Sequence, residues 1–238
     1  ANKQIIVEAG VGIGKSYAYL YPGTLLASIT GRPIVLSTSS IALSEQLVHD
    51  AQRILRFRQN TSLPIVLGKG MNNYICQSRI NEVIDQKRAL KKSTQKSFSP
   101  KEKMLLTFPD IVLKKARVCS ERADISEAIS DAQWNQINVT KCDRYKCEHV
   151  IECRFVEMRT AIGNTGRARL IIINHDLLLA HLLNEELTGE GFINDRIRMI
   201  VIDEAHNLEE KARTALTTPW SLRTINNLMS QLQNSYYI

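Results

Sequence analysis

The stretch Ala9-Gly10-Val11-Gly12-Ile13-Gly14-Lys15-Ser16 decides the fold. It follows a short apolar run, Ile5-Ile6-Val7, and leads into an apolar segment that begins at Tyr17. The spacing predicts a buried strand over residues 4–7, then a glycine-rich turn, then a helix from Tyr17 to about Ser28 that Pro22 kinks. Glycines in such a turn let backbone N–H groups point inward, because no Cβ blocks a phosphate oxygen. The helix start adds the positive end of its dipole. Lys15 offers a mobile ammonium to β- and γ-phosphates, and the Ser16 hydroxyl is a ligand for Mg²⁺. Ala9, Gly10, Gly12, Gly14, Lys15 and Ser16 are therefore the expected ATP and Mg²⁺ contacts. The eight-residue pattern usually opens with Gly. Ala9 takes that place here, with Gly10 and Gly12 supplying flexibility just behind it. An ordinary glycine-rich turn before a helix is the competing explanation, and the Gly-Lys-Ser ending behind an apolar run speaks against it.

Outward from this loop, Gly31-Arg32-Pro33 breaks the chain and Ile34–Ser37 reads as a second strand. Ser39 to about Arg58 has helical periodicity, with Leu43, Leu47, Ala51 and Leu55 on one face. Pro64–Leu67 is again strand-like. Strand–helix alternation of this kind is the rhythm of an α/β protein, a parallel sheet covered by helices. After Cys76 the chain turns polar and basic and loses its strand signals, so residues 77–160 are expected to form a mostly helical insertion. The rhythm resumes at Leu170–Asn174 and Met199–Ile202, both expected as buried strands. The expected organisation is a first α/β part over 1–76, the insertion over 77–160, a second α/β part over 161–207, and a polar helical tail over 208–238.

The strand at Met199–Ile202 ends in Asp203-Glu204-Ala205-His206. Ligands of open α/β sheets bind beyond the carboxyl ends of the strands, so Lys15 and Asp203 are expected at one edge. Asp203 suits Mg²⁺, and Glu204 suits the orientation or deprotonation of an attacking water. His206 titrates near neutral pH and can relay the γ-phosphate state. The plainer alternative makes Asp203 a helix N-cap with Glu204 in the first turn.

The 238 residues carry a formal charge of +7 and are 44% hydrophobic. Neither a membrane span nor a signal peptide is legible, so a cytoplasmic protein is the expectation. Residues 79–117 hold eleven Lys or Arg against four acids, which accounts for the entire net charge. Such a block reads either as a polyanion contact or as a solvated helical face. The five cysteines, Cys76, Cys119, Cys142, Cys147 and Cys153, argue against a disulfide framework. Cys142, Cys147 and Cys153 lie on wider spacings than a zinc site usually uses, and with Cys76 they suit the broader corners of an iron–sulfur cubane. Zinc and buried free thiols stay open as alternatives. Cys119 reads as a structural thiol.

The order of these motifs resembles the XPD/DinG group of iron–sulfur superfamily 2 helicases, with the bacterial DinG-like branch favoured. Asp-Glu-Ala-His matches the DEAH-type motif. Val35-Leu36-Ser37-Thr38 with Glu45-Gln46-Leu47 resembles the motif Ia region. Lys69-Gly70 and Asn73-Tyr74-Ile75-Cys76 resemble the segment of the first cluster cysteine, and Asn174-His175-Asp176-Leu177-Leu178 the segment after the cluster. The resemblance implies a RecA-like P-loop fold, with Lys15, Asp203, Glu204 and His206 as catalytic residues and Ser16 and Asp203 on Mg²⁺. It implies a [4Fe-4S] cluster on Cys76, Cys142, Cys147 and Cys153. Ser37, Thr38, Asn174 and His175 would lie near the DNA. Members drive 5′–3′ translocation along single-stranded DNA and open duplex junctions. The expectation is a monomeric enzyme of bacterial DNA repair or replication, in the cytosol or nucleoid. The family's second motor domain and the glutamine motif before the P-loop have no counterpart here, and residues 208–238 read as the start of the family's arch domain or as a truncated tail, so the chain is expected to be an N-terminal fragment with little turnover alone. A zinc-bearing P-loop ATPase, or a nucleotide- and DNA-binding module without turnover, is the competing reading.

Overall fold

The computed structural model describes residues 3–10, 12–59, 62–94, 97–140, 142–164, 166–194 and 196–217. Val11, Lys96 and most of the expected tail, residues 218–238, lie outside them. In chain order the elements are α1 (Lys15–Thr30), β1 (Ile34–Thr38), α2 (Ile41–Phe57), β2 (Ile65–Gly68), α3 (Gln77–Lys92), α4 (Pro100–Leu106), α5 (Asp110–Ala116), α6 (Asp131–Ile137), α7 (Arg154–Gly163), β3 (Leu170–Asn174), α8 (His175–Thr188), β4 (Met199–Ile202) and α9 (Leu208–Leu216). The four strands form one sheet in the order β2-β3-β1-β4. Every pairing is parallel. This is the α/β architecture that the strand–helix rhythm predicts.

Register explains why the strands sit still. Ile34 pairs with Leu170 and Leu36 with Ile172, and all four side chains face α1 and α2, where Leu20, Ala27, Leu47 and Ala51 meet them. Val35, Ile171 and Ile173 face the other way, onto Met158 and Ile162 of α7 and Leu177 and Leu178 of α8. Side chains alternate across a strand, so a strand covered by helices on both faces must be apolar throughout. β1 and β3 meet that demand, and every residue in them is buried. The helices start where the sequence supplies caps. The Ser40 side chain accepts from Leu43 N–H, and Asn174 accepts from Leu177 N–H. α1 runs through Pro22 and stops at Gly31, whose φ of 64° closes the helix.

Two expectations are corrected here. Residues 4–7 form no strand. Ile5, Ile6 and Val7 are 83, 99 and 77% exposed. A three-residue apolar run becomes a strand only when another strand offers it a ladder, and periodicity cannot supply that partner. β4 is not a buried strand either. It pairs with β1 alone among the described residues, and Ile200 and Ile202 are exposed.

The insertion builds a core of its own. Ile80 and Val83 of α3, Leu105 of α4, Val112 and Leu113 of α5 and Trp134 and Ile137 of α6 pack together around Phe108. Ser99 and Ser130 each close a capping box, with Glu102 and Gln133, at the starts of α4 and α6. α7 contributes instead to the sheet core, through Phe155, Met158 and Ile162.

Candidate nucleotide and DNA site

Gly12 and Gly14 adopt φ of 81° and 84°, the left-handed region that a side chain resists. A Cβ at Gly10, Gly12 or Gly14 would meet nothing within 4 Å, so space lies open over the loop. The start of α1 has no side-chain cap and no acid in its first turn. Its orphan N–H groups and dipole end are thus left for an outside anion.

The acidic motif reaches this loop. Asp203 N–H donates to Ser37 C=O at 2.8 Å, which prolongs the pairing beyond β4 and sets Asp203 at the carboxyl edge. Glu204 then turns sharply, with φ 53° and ψ 44°. A non-glycine residue pays about 1–3 kcal/mol for such a conformation. The turn carries its carboxylate to Lys15, whose Nζ lies 3.1 Å from Glu204 Oε1. His206 Nδ1 stands 3.4 Å from the other oxygen, Glu204 Oε2. The Asp203 carboxylate caps no helix. Its Oδ2 accepts from the Tyr19 hydroxyl at 3.0 Å, and the 3₁₀ turn and α9 that follow have no side-chain cap. Lys15, Ser16, Asp203, Glu204 and His206 are therefore brought to one place. Their donors suit a metal–phosphate ligand, with oxygen donors for a hard cation and an ammonium for the phosphate.

The predicted strand contacts sit at the same edge but mostly inside it. Ser37, Thr38 and His175 are fully buried, and Ser37 Oγ lies 2.8 Å from His175 Nδ1. Thr38 Oγ1 is buried without a hydrogen-bond partner among the described residues. Burial holds the His175 ring below the usual histidine range. Asn174 lines a groove of about 1380 Å³ that runs between the segment around Asn72, the Cys142 loop, α7 and α8. In that groove the Arg159 guanidinium lies 3.9 Å from the Phe192 ring centroid, and Arg144 lies 5.0 Å from Tyr145. Burial first, and then the charge of Arg144, lowers the Arg159 pKa from its ordinary value. Neither guanidinium has an acidic partner among the described residues.

Cys76 and Cys153 precede the first residues of α3 and α7 and pack against the sheet core. The Cys142 thiol is pushed up by burial, then by the thiols of Cys153, Cys147 and Cys76. The other three thiols thus lie within electrostatic reach of Cys142. Among the described residues no group of three or more His, Cys, Asp or Glu is placed to hold a metal ion. Cys119 stands apart. It is partly buried against the insertion core, with its Sγ 3.8 Å from Asp124 C=O.

No known family profile matches the sequence. Individual proteins do. The ATP-dependent helicase DinG of Mycobacterium tuberculosis is 28% identical over 240 residues, which cover 94% of this chain and 34% of that protein. The ATP-dependent DNA helicase YoaA of Haemophilus influenzae is 28% identical over 217 residues, 89% of this chain and 31% of that protein. The ATP-dependent DNA helicase DinG of Escherichia coli is 25% identical over 245 residues, 92% and 31% respectively. The chain is DinG-like along nearly all of its length. It spans about a third of the length of the relatives it matches.

The partners of three residues of this DinG-like chain escaped sequence reading. Tyr19 sits in an apolar helix and gives no sign of reaching Asp203. Lys69 is buried between Glu45 of α2, at 2.8 Å, and Glu121 of the insertion, at 2.6 Å. His181 on α8 accepts from Phe192 N–H at 3.0 Å through Nδ1 and so holds the loop that carries Phe192. Sequence separations of 184, 52 and 11 residues hide such partners from any local pattern. Among the described residues, no helix is long and apolar enough to cross a membrane.

Proposed function

We propose that this chain is the nucleotide-binding part of an ATP-dependent DNA helicase motor. The observation that carries the proposal is the Lys15–Glu204 contact, which joins two motifs 189 residues apart beside an uncapped helix start. The Gly12–Gly14 turn and the first N–H groups of α1 bind the phosphates. Lys15 leaves Glu204 for the β- and γ-phosphate oxygens, and Glu204, released, orients the attacking water and takes its proton. Ser16 and Asp203 hold Mg²⁺, which when bound offsets the phosphate charge. His206, beside Glu204, relays the change to the segment that follows.

Single-stranded DNA, in this reading, follows the groove. Its phosphates meet Arg144 and Arg159, its bases stack against Phe192 and Tyr145, and Asn174 contacts it from the sheet edge. Ser37, Thr38 and His175 support Asn174 from behind, and the basic 79–117 block adds salt-sensitive phosphate contacts. Cys76, Cys142, Cys147 and Cys153 hold a [4Fe-4S] cluster, a reading supported by the cysteine pattern. Translocation 5′ to 3′, opening of duplex junctions, a monomeric state and a role in bacterial DNA repair or replication follow from the likeness to the helicases named above. Turnover belongs to the longer protein, since those relatives are about three times as long.

Two measurements test the proposal. Lys15→Ala is expected to abolish nucleotide binding with the fold intact, and unchanged affinity in a folded variant removes the assignment. Anaerobically purified protein is expected to hold about four irons with matching acid-labile sulfide, lost on Cys147→Ser. Zinc, or no metal under those conditions, refutes the cluster and leaves the nucleotide site standing.

A further inference from the structure

The Tyr19 hydroxyl donates to Asp203 Oδ2 at 3.0 Å, and the Ser16 hydroxyl interacts with the same phenol. The phenol thus bonds one side chain assigned above to the nucleotide-bound cation, Asp203, and lies beside the other, Ser16. The Tyr19 ring is packed against the core between α1, α2 and the sheet, so the hydroxyl is aimed by packing and not by chance of rotamer. A carboxylate offers about four acceptor positions on its two oxygens. Tyr19 takes one of them, on Oδ2. Lys15 meanwhile engages Glu204 and not Asp203, so the two neighbouring acids are held by two different donors from the same helix, four residues apart. That spacing is one helical turn, which sets both donors on one face of α1.

We propose that Tyr19 is a positioning residue for the cation. Its hydroxyl fixes the Asp203 carboxylate opposite Ser16 before nucleotide arrives, so that the Mg²⁺–nucleotide complex meets an ordered pair. Ordering the side chain beforehand removes part of the entropy cost of binding. The inference rests on the nucleotide-site reading and deepens it.

The test uses the full-length protein, Mn²⁺ as the spectroscopically visible probe, and a non-hydrolysable ATP analogue. Tyr19→Phe removes the hydroxyl and keeps the ring. Mn²⁺ is expected to bind the nucleotide complex about tenfold more weakly, the size of one hydrogen bond to a charged group. Affinity for the nucleotide in EDTA is expected to stay unchanged. Because Tyr19 acts through Asp203, the double variant with Asp203→Asn is expected to bind Mn²⁺ no more weakly than Asp203→Asn alone. Tyr19→Met, which also lacks the hydroxyl, gives the same reading should the phenylalanine variant fold poorly. Unchanged Mn²⁺ affinity, equal losses with and without metal, or additive losses in the double variant overturn the proposal. Failure of the wild-type protein to bind nucleotide at all overturns the nucleotide site beneath it, and wild-type binding isolates the Tyr19 question.

Discussion

Replacing Lys69 with Met is expected to destabilise the protein at the seam between α2 and the insertion. Lys69 is 8% exposed, while Glu121 and Glu45 are 20% and 44% exposed. Taking one partner from a fully buried ion pair costs about 3–5 kcal/mol, because the other charge stays behind unpaired. Glu45 stands nearly half in water, where its charge is screened, so about 2–3 kcal/mol is the appropriate magnitude here. For a chain of this size that lowers the thermal midpoint by roughly 5–10 °C. Circular dichroism at pH 7.5 reads the midpoint directly. Lys69→Met with Glu121→Gln is expected to recover most of the loss, since no buried charge is then left alone. The wild-type contribution also has a pH window. Burial opposes the Lys69 charge, but hydrogen bonds to Glu121 and Glu45 outweigh it and raise the pKa above the ordinary value. A raised folded-state pKa gives stability that is whole below the unfolded value, about 10.4, and is lost as pH rises through the folded one. A midpoint within about 1 °C of wild type, or a double variant no better than the single, refutes the reasoning.

Gly191→Ala places a Cβ 2.2 Å from His181 Cε1 and 2.8 Å from His181 Nδ1. The ring must then give up Phe192 N–H, and a loss of about 1–3 kcal/mol in urea denaturation is expected. Acidification is expected to weaken the fold, because burial holds both His175 and His181 below the usual histidine range. A depressed folded-state pKa gives stability present above the unfolded value, about 6.5, and lost as pH falls below it, so the urea midpoint drops between about pH 7 and pH 5. His181→Gln is expected to flatten part of that slope, and an unchanged slope would assign the effect elsewhere. Lys15→Ala is expected to cost less than about 1 kcal/mol of stability, since Lys15 and Glu204 are both partly exposed to solvent. A drop beyond that would make the Lys15–Glu204 bridge a structural element.

Much of the sheet and of the glycine-rich loop was legible because their signals are local. Ile34–Ser37 and Leu170–Asn174 read as strands from composition alone, and both are strands. Gly12, Gly14, Lys15 and Ser16 are neighbours in sequence, so the turn they make into α1 needed no knowledge of the rest of the fold. The same logic failed at Ile5-Ile6-Val7, whose apolar run looks like a strand but has no ladder beside it. It failed in milder form at β4, where apolar composition could not tell an edge from a centre. Composition reports what a segment buries when it has a partner, and the partner is a property of the sheet.

The sequence by itself determined the α/β rhythm, the glycine-rich loop, the acidic tetrad and the likeness to DinG-type helicases, because each rests on residues within a few positions of one another. Only the tertiary structure decided that Asp203 is held by Tyr19 and caps no helix, that Ser37 and His175 are bonded to each other inside the sheet edge, and that Lys69 ties the insertion to α2. Those choices depend on which distant groups share a dry, crowded space, where a buried donor must find an acceptor and a buried charge its opposite.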